Sequence, residues 1–118
     1  MAIAPNDDDP LASAGVSAGN LHLSAEACER YLPGIESIAL LSRDAQVLIV
    51  PLTRDSCGVL LLKVRNARGD RVIHAQEFFR IHGYAEEFAA HRVAMRWDDS
   101  AAALVLTGIA RDRGARPA

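Results

Sequence analysis

The densest set of side chains able to bind something is the run Lys63-Val64-Arg65-Asn66-Ala67-Arg68-Gly69-Asp70-Arg71. Read as a hairpin with its loop over residues 66–70, it sets Arg65 opposite Arg71 and puts Arg68 at the tip. Like charges directly across two strands repel. A ribbon holding three guanidinium groups therefore calls for an anion: a phosphate, a carboxylate cluster on a partner, or a nucleic-acid backbone. Lys63, Arg65, Arg68 and Arg71 are the expected partner- or anion-binding residues. The competing reading neutralises the ribbon from within, through Asp70 and Glu77, or leaves it to water. The embedded Arg68-Gly69-Asp70 reads as turn chemistry.

Other reactive types are present without a constellation around them. Cys57 sits in the polar loop Thr53 to Gly58, where Arg54 would lower the thiol pKa and Asp55 would oppose it. No histidine stands in a recognisable pairing with it. His74, His82 and His91, with Glu86 and Glu87, have metal-ligand chemistry, but their spacing matches no zinc signature. Gly83 also breaks the helix that would bring His82 and Glu86 to one face. The sequence has no phosphate loop, dinucleotide-binding glycine pattern, nucleophile elbow or HExxH. Catalysis, a cofactor and a metal are not expected, and an enzyme using Cys57 or the histidines is the last of the alternatives. Trp97 reads as a core or rim plug, because three phenylalanines and two tyrosines are too few for a base-stacking surface.

The elements that must position these groups fit one domain, since the chain has 118 residues and 12.7 kDa. With 50% apolar and 24% charged residues it can build a packed core. A net charge of -2 and a pI near 6.0 exclude bulk electrostatic attraction to nucleic acid, so any charge-driven binding must be local. Two cysteines, Cys28 and Cys57, without metal-type spacing fit a reducing, cytoplasmic and bacterial setting. No basic start leads into an apolar stretch, and no apolar run reaches the ~18 residues of a membrane span. Neither export nor membrane insertion is expected.

Residues 1–19, with the run Asp7-Asp8-Asp9, read as a disordered acidic arm, residues 110–118 as a disordered tail, and residues 20–109 as the folded domain. Leu21-His22-Leu23 alternates like a strand. Ser24 then caps a helix over residues 24–32, with Glu26 in its first turn, Leu23 and Cys28 as a hydrophobic staple, and Pro33-Gly34 as its stop. Ser37 to Ser42 and Gln46 to Leu52 form a hairpin about Arg43-Asp44-Ala45. The near-continuous apolarity of Val59 to Val64 predicts a strand covered on both faces at the sheet centre, followed by a strand over Arg71 to Ala75. Gln76 to Gly83 fits either a short helix ended by Gly83 or an alternating strand, and the helix is preferred. Arg92 to Trp97 and Ala101 to Thr107 make a closing hairpin. The expected class is α+β: a mostly antiparallel sheet or small, partly open barrel of about six strands, with one clear helix and a second short one. No repeat at solenoid spacing is visible. The apolar runs Val47 to Val50 and Val59 to Val64 must be covered, which a symmetric homodimer would do.

The β-α-β-β order from Leu21 to Leu52, with its capped helix in LHLSAEACERYLPG, is similar in layout to the swapped-hairpin modules of AbrB-type and MraZ-type regulators. That resemblance implies a small DNA-binding transcriptional regulator, with the arginines on phosphates. The leading expectation is different. A chain without a catalytic constellation, but with one arginine-rich hairpin, reads as an accessory protein for assembly or regulation that binds an acidic surface of a larger protein.

Overall fold

The structure is a computed structural model that describes residues 9–53 and 59–111. Nine strands and two helices follow one another as β1 (Ser13–Ser17), β2 (Asn20–Leu23), α1 (Ala25–Tyr31), β3 (Ser37–Arg43), β4 (Gln46–Leu52), β5 (Leu60–Leu61), β6 (Lys63–Val64), β7 (Arg71–His74), α2 (Gln76–His82), β8 (His91–Asp98) and β9 (Ala103–Thr107). All pairings are antiparallel, in the order β5-β3-β4-β9-β8-β1-β2-β7-β6. The two outermost strands, β5 and β6, are separated only by Leu62, whose N–H donates to Glu36 O at 2.8 Å. The sheet therefore curls into a nearly closed barrel. The α+β class stands, with nine strands in place of about six.

Local chemistry explains the elements. Ser24 Oγ accepts from the Ala27 N–H and caps α1, and Leu23 and Cys28 are both buried as the staple requires. Helix α2 forms where the helical reading put it, closed by Gly83 at φ 72°. The β3–β4 hairpin turns through Asp44 and Ala45, both at positive φ, as a tight two-residue connection needs.

Three expectations are corrected. The segment assigned to a disordered arm contains β1, which lies between β8 and β2 in the sheet. It escaped notice because Ser13-Ala14-Gly15-Val16-Ser17 is made of small residues, yet Ala14 and Val16 point inward and are fully buried. Its turn to β2 uses Ala18 and Gly19, and a Cβ on Gly19 would stand 2.8 Å from Gln76 Cγ, so glycine is required there. Arg111, expected in the loose tail, forms an isolated bridge to Tyr84 and packs its guanidinium 4.5 Å from that ring's centroid. Residues 1–8 and 112–118 lie outside the described residues.

The third correction concerns Val59 to Val64. This run is the seam of the barrel, pairing with β3 through Leu60 and Leu61 and with β7 through Lys63 and Val64, and Leu61 and Val64 are exposed. The strands buried on both faces are β4 and β9. Val47, Ile49, Leu104 and Leu106 enter the main core, while Leu48, Ala103 and Val105 form a second buried cluster on the other face. Both runs named as needing cover are thus paired within the chain, with Leu61 and Val64 left exposed.

The barrel is internally duplicated. A two-fold relation exchanges β1 with β5–β6, β2 with β7, α1 with α2, β3 with β8 and β4 with β9, and it reproduces every pairing in the sheet. Leu21 opposite Ile73 and Leu48 opposite Val105 lie on its axis. The matched positions share burial: Leu23 with Ala75, Ala27 with Phe79, Leu32 with Tyr84, Val16 with Leu62, and Ile38 with Val93. Among the described residues no helix is long and apolar enough to cross a membrane.

Candidate functional site

Strand β6 carries Lys63 outward, and the ladder continues one step beyond it, because the Arg65 N–H donates to Asp70 O at 2.7 Å. Arg65 therefore faces Asp70, and the residue opposite Arg71 is Val64. The expected Arg65–Arg71 pair does not form. A slip of one residue reverses the face: Arg71 turns to the core side, opposite Leu23, with Nη1 donating to Leu62 O at 3.1 Å.

The turn between them is organised by Asn66 and Asp70. Asn66 Oδ1 accepts from the Arg68 and Asp70 N–H groups, and Asn66 Nδ2 donates to Asp70 Oδ2 at 3.0 Å. The other Asp70 oxygen accepts the Ala25 N–H at 2.9 Å, which fastens the turn to the start of α1. The Asn66 amide and then the Ala25 N–H hold the Asp70 carboxyl below its usual range. Arg68 is clasped in turn: Nη2 lies 3.2 Å from both Glu26 oxygens, and Nε lies 3.8 Å from Asp70. Internal neutralisation thus holds for Arg68, by Glu26 and Asp70 in place of Asp70 and Glu77. The crowded, uncompensated triplet of guanidinium groups is not what the chain builds.

Lys63 and Arg65 remain as exposed cations, neither in an ion pair among the described residues. Arg65 borders a cleft that the sequence reading missed, and Lys63 lies on the same outer face. Across four strand boundaries the register places Arg92 opposite Gly15, Gly15 opposite His22, His22 opposite Val72 and Val72 opposite Lys63. All five belong to the outer face, since Val93, Ala14, Val16, Leu21, Leu23 and Ile73 fill the inside. Gly15, with no side chain, leaves a gap between Arg92 and His22. Two adjoining hollows of about 350 and 330 Å³ open there, and His22, Arg65 and Arg92 line both. The first also has Glu26, Arg68 and Asp70 in its wall, whereas among the described residues no carboxylate lines the second.

Two of these side chains are held in place. Arg92 donates from Nε and Nη2 to Ser13 Oγ, at 3.1 and 2.7 Å, and from Nη2 to Ser13 O. The His22 ring packs beside Gly15, and its Nδ1 is enclosed without a hydrogen-bond partner. Burial first, and then the charges of Arg65 and His74, push the His22 pKa down. The only legible signal was the alternation Leu21-His22-Leu23, which puts His22 outside. Gly15 lay in the presumed arm, and nothing in the sequence brings Arg92 beside it.

The remaining candidates are dispersed. Cys57 lies outside the described residues. The buried Cys28 thiol is pushed up to about 11 by desolvation. Among the described residues no group of three or more His, Cys, Asp and Glu side chains is placed to hold a metal. Glu86 pairs instead with Arg80 at 3.1 Å, and His91 lies 3.9 Å from Glu87. Trp97 packs against the core, stacked parallel to Tyr31 at 6.0 Å, with Nε1 donating to Asp99 at 2.8 Å. Compared with protein-family models, with curated proteins and with solved structures, the chain finds no match.

Proposed function

We propose that this protein is a non-enzymatic accessory factor, acting in assembly or regulation in the cytoplasm, that recognises an acidic surface of a larger protein. The recognition surface runs from Lys63 on the outer face to Arg65 in the cleft wall, with Arg92 across Gly15. The observation that carries the reading is Arg65: among the described residues it is an exposed guanidinium without an ion pair, beside a hollow that no carboxylate lines. Arg68 and Arg71 act on this surface only by shaping the turn and its base. A symmetric homodimer, which would cover the exposed Leu61 and Val64, belongs to this reading.

The test is affinity capture with the intact tagged chain. A protein retained by the wild type should be lost with Lys63→Glu/Arg65→Glu and kept with Arg30→Glu, an exposed arginine on α1. Retention by the double variant removes the reading.

A second reading is favoured by the duplicated β-α-β-β order, since one chain here holds two units of the layout similar to swapped-hairpin regulators. Under it, Lys63 and Arg65 contact DNA phosphates. Affinity for duplex DNA would then fall steeply with salt, and the Lys63→Glu/Arg65→Glu chain would lose it. A flat salt response, or no binding at low salt, dismisses it.

A further inference from the structure

The flank between α1 and the turn that follows β6 holds a hollow of about 400 Å³. Its floor is apolar, because Cys28, Leu32 and Leu62 line it and all are buried. Its polar wall is out of balance. Arg71 lines it and is only partly exposed, and among the described residues this guanidinium has no ion pair. A guanidinium is a fork of N–H donors, and here Nη1 donates to Leu62 O at 3.1 Å while Nε is enclosed without a partner. The Nη end is therefore the part left to meet a ligand. Glu29 and Glu36 stand in the same wall, exposed and also without an ion pair among the described residues. Arg68 reaches the hollow too, but Glu26 and Asp70 already hold it.

The two-fold relation shows what opens this flank. Counted on from the matched pairs Ala27–Phe79 and Leu32–Tyr84, Cys28 takes the place of Arg80 and Gly34 that of Glu86. In the second half those two residues form an ion pair at 3.1 Å. In the first half they are a thiol and a glycine, both lining the hollow, and a Cβ added to Gly34 would meet nothing within 4 Å. Arg71 has the reverse relation. Its counterpart is Gly19, so the second half has no guanidinium there. Beside α2 opposite charges pair with each other, whereas beside α1 a cation and two carboxylates line one hollow and do not pair.

That wall selects its ligand by sign. A ligand carrying only a carboxylate would suit Arg71 but face Glu29 and Glu36, and one carrying only an ammonium would leave Arg71 unbalanced. A zwitterion answers both, and the apolar floor suits an aliphatic body between its charges. We propose that this hollow binds a small apolar zwitterion, a free α-amino acid or a short peptide. Its carboxylate lies on Arg71, its ammonium on Glu29 and Glu36, and its aliphatic side chain over Cys28, Leu32 and Leu62. Neither Lys63 nor Arg65 lines this hollow, so the site goes beyond the acidic-partner reading and is independent of it.

The experiment titrates the intact chain with leucine, with leucyl-leucine, and with two leucine analogues that each lack one charge, isocaproate and isoamylamine. The backbone amides of Gly34 and Gly69, both in the wall, are followed by NMR, with Gly108 as a remote reference. At least one zwitterion should shift both wall amides to saturation and bind about 10-fold or more tightly than either analogue, as expected for one charge-assisted hydrogen bond. Tighter binding of leucine assigns a free amino acid, and tighter binding of leucyl-leucine a peptide. Glu29→Gln/Glu36→Gln, at two exposed positions, should fold normally and weaken the better zwitterion about 10-fold. Arg71→Gln should weaken it in the same way, and where that chain does not fold the double glutamine variant decides. Glu87→Gln, exposed and outside the wall, should leave binding unchanged. No saturable shift with either zwitterion, an analogue that binds as tightly, or unchanged binding in Glu29→Gln/Glu36→Gln overturns the inference and leaves the acidic-partner reading untouched.

Discussion

His22 and His74 occupy equivalent positions in the two halves of the barrel, and they differ in the partner of Nδ1. His74 Nδ1 lies 3.2 Å from Asn20 Oδ1 on the neighbouring strand, whereas His22 Nδ1 has no partner because Val72 stands where Asn20 would be. A buried ring nitrogen without a partner costs about 1–3 kcal/mol. Val72→Asn should supply the partner and raise thermal stability, a change read directly from the melting temperature. An unchanged or lower melting temperature would show that the ring nitrogen is satisfied otherwise.

The same histidine sets a pH dependence. Its folded-state pKa lies below the ordinary 6.5 because burial and the charge of Arg65 oppose protonation. The unfolded chain therefore takes up this proton first as pH falls. The stabilisation is present above pH 6.5 and is lost as pH drops from there through the folded pKa. Urea melts between pH 7.5 and 5 should show wild-type stability falling over this range, with the slope reduced in His22→Gln.

Asp70 and Arg68 make a contrast in how much an ion pair is worth. Asp70 joins the Asn66 turn to the first N–H of α1, so Asp70→Ala should destabilise the fold by about 1–2 kcal/mol. Arg68 reaches Glu26 from an exposed position, and Arg68→Ala should cost less than about 1 kcal/mol. Chemical denaturation of the two variants separates them. The Asp70 contribution is held above its unfolded pKa of 3.8 and is lost as pH falls through the lower folded value.

Arg65 and Arg71 lead to opposite expectations although they flank the same turn. Arg65 is exposed, so Arg65→Glu should fold normally and change only binding. Arg71 turns to the core side and has Nη1 on Leu62 O, with Nε enclosed, so Arg71→Glu should lower stability by about 2 kcal/mol or more. Equal melting temperatures for the two variants would contradict the register found here.

That pair also shows where sequence reading stops. Local signals placed α1, its Ser24 cap, the β3–β4 hairpin and α2, because each depends on residues a few positions apart. Strand partners are set by contacts distant in sequence. Nothing in Val59 to Val64 says that it splits between β3 and β7, and nothing in Ser13–Ser17 says that it joins β8 to β2. The candidate site depends on both. One hydrogen bond, from Arg65 N–H to Asp70 O, decided the register and separated two arginines expected to meet. The duplication was hidden because burial repeats where residue type does not: Ala27 matches Phe79, and Leu32 matches Tyr84.

Cys28 gives an independent check on the packing of α1. Its thiol is buried beside Leu32 and the Arg71 base and is pushed from 9.0 up to about 11. At pH 8 that shift lowers the reactive thiolate fraction about 100-fold. In a Cys57→Ser chain, which leaves Cys28 as the single thiol, a disulfide reagent should react at least that much more slowly than with the urea-unfolded protein. Rapid reaction under native conditions would mean that α1 opens readily from the core.

The duplication carries a consequence for assembly. Each half holds one member of the axis pairs: Leu21 and Leu48 in the first, Ile73 and Val105 in the second. Strand β1 of the first half lies between β8 and β2, and β5–β6 of the second joins β3 to β7, so neither half can close a barrel alone. A break between Thr53 and Val59 falls between β4 and β5. Fragments 1–56 and 57–118 should therefore be poorly folded when separate and regain the native circular dichroism spectrum on mixing, with one copy of each in the complex. Because the link between the halves becomes an encounter between two chains, the midpoint of thermal unfolding should rise with concentration. Leu48→Asp, which buries a charge on the β4–β9 contact, should abolish the complex. Fragments that fold fully by themselves, or that fail to associate at any concentration, would contradict the interlocked arrangement.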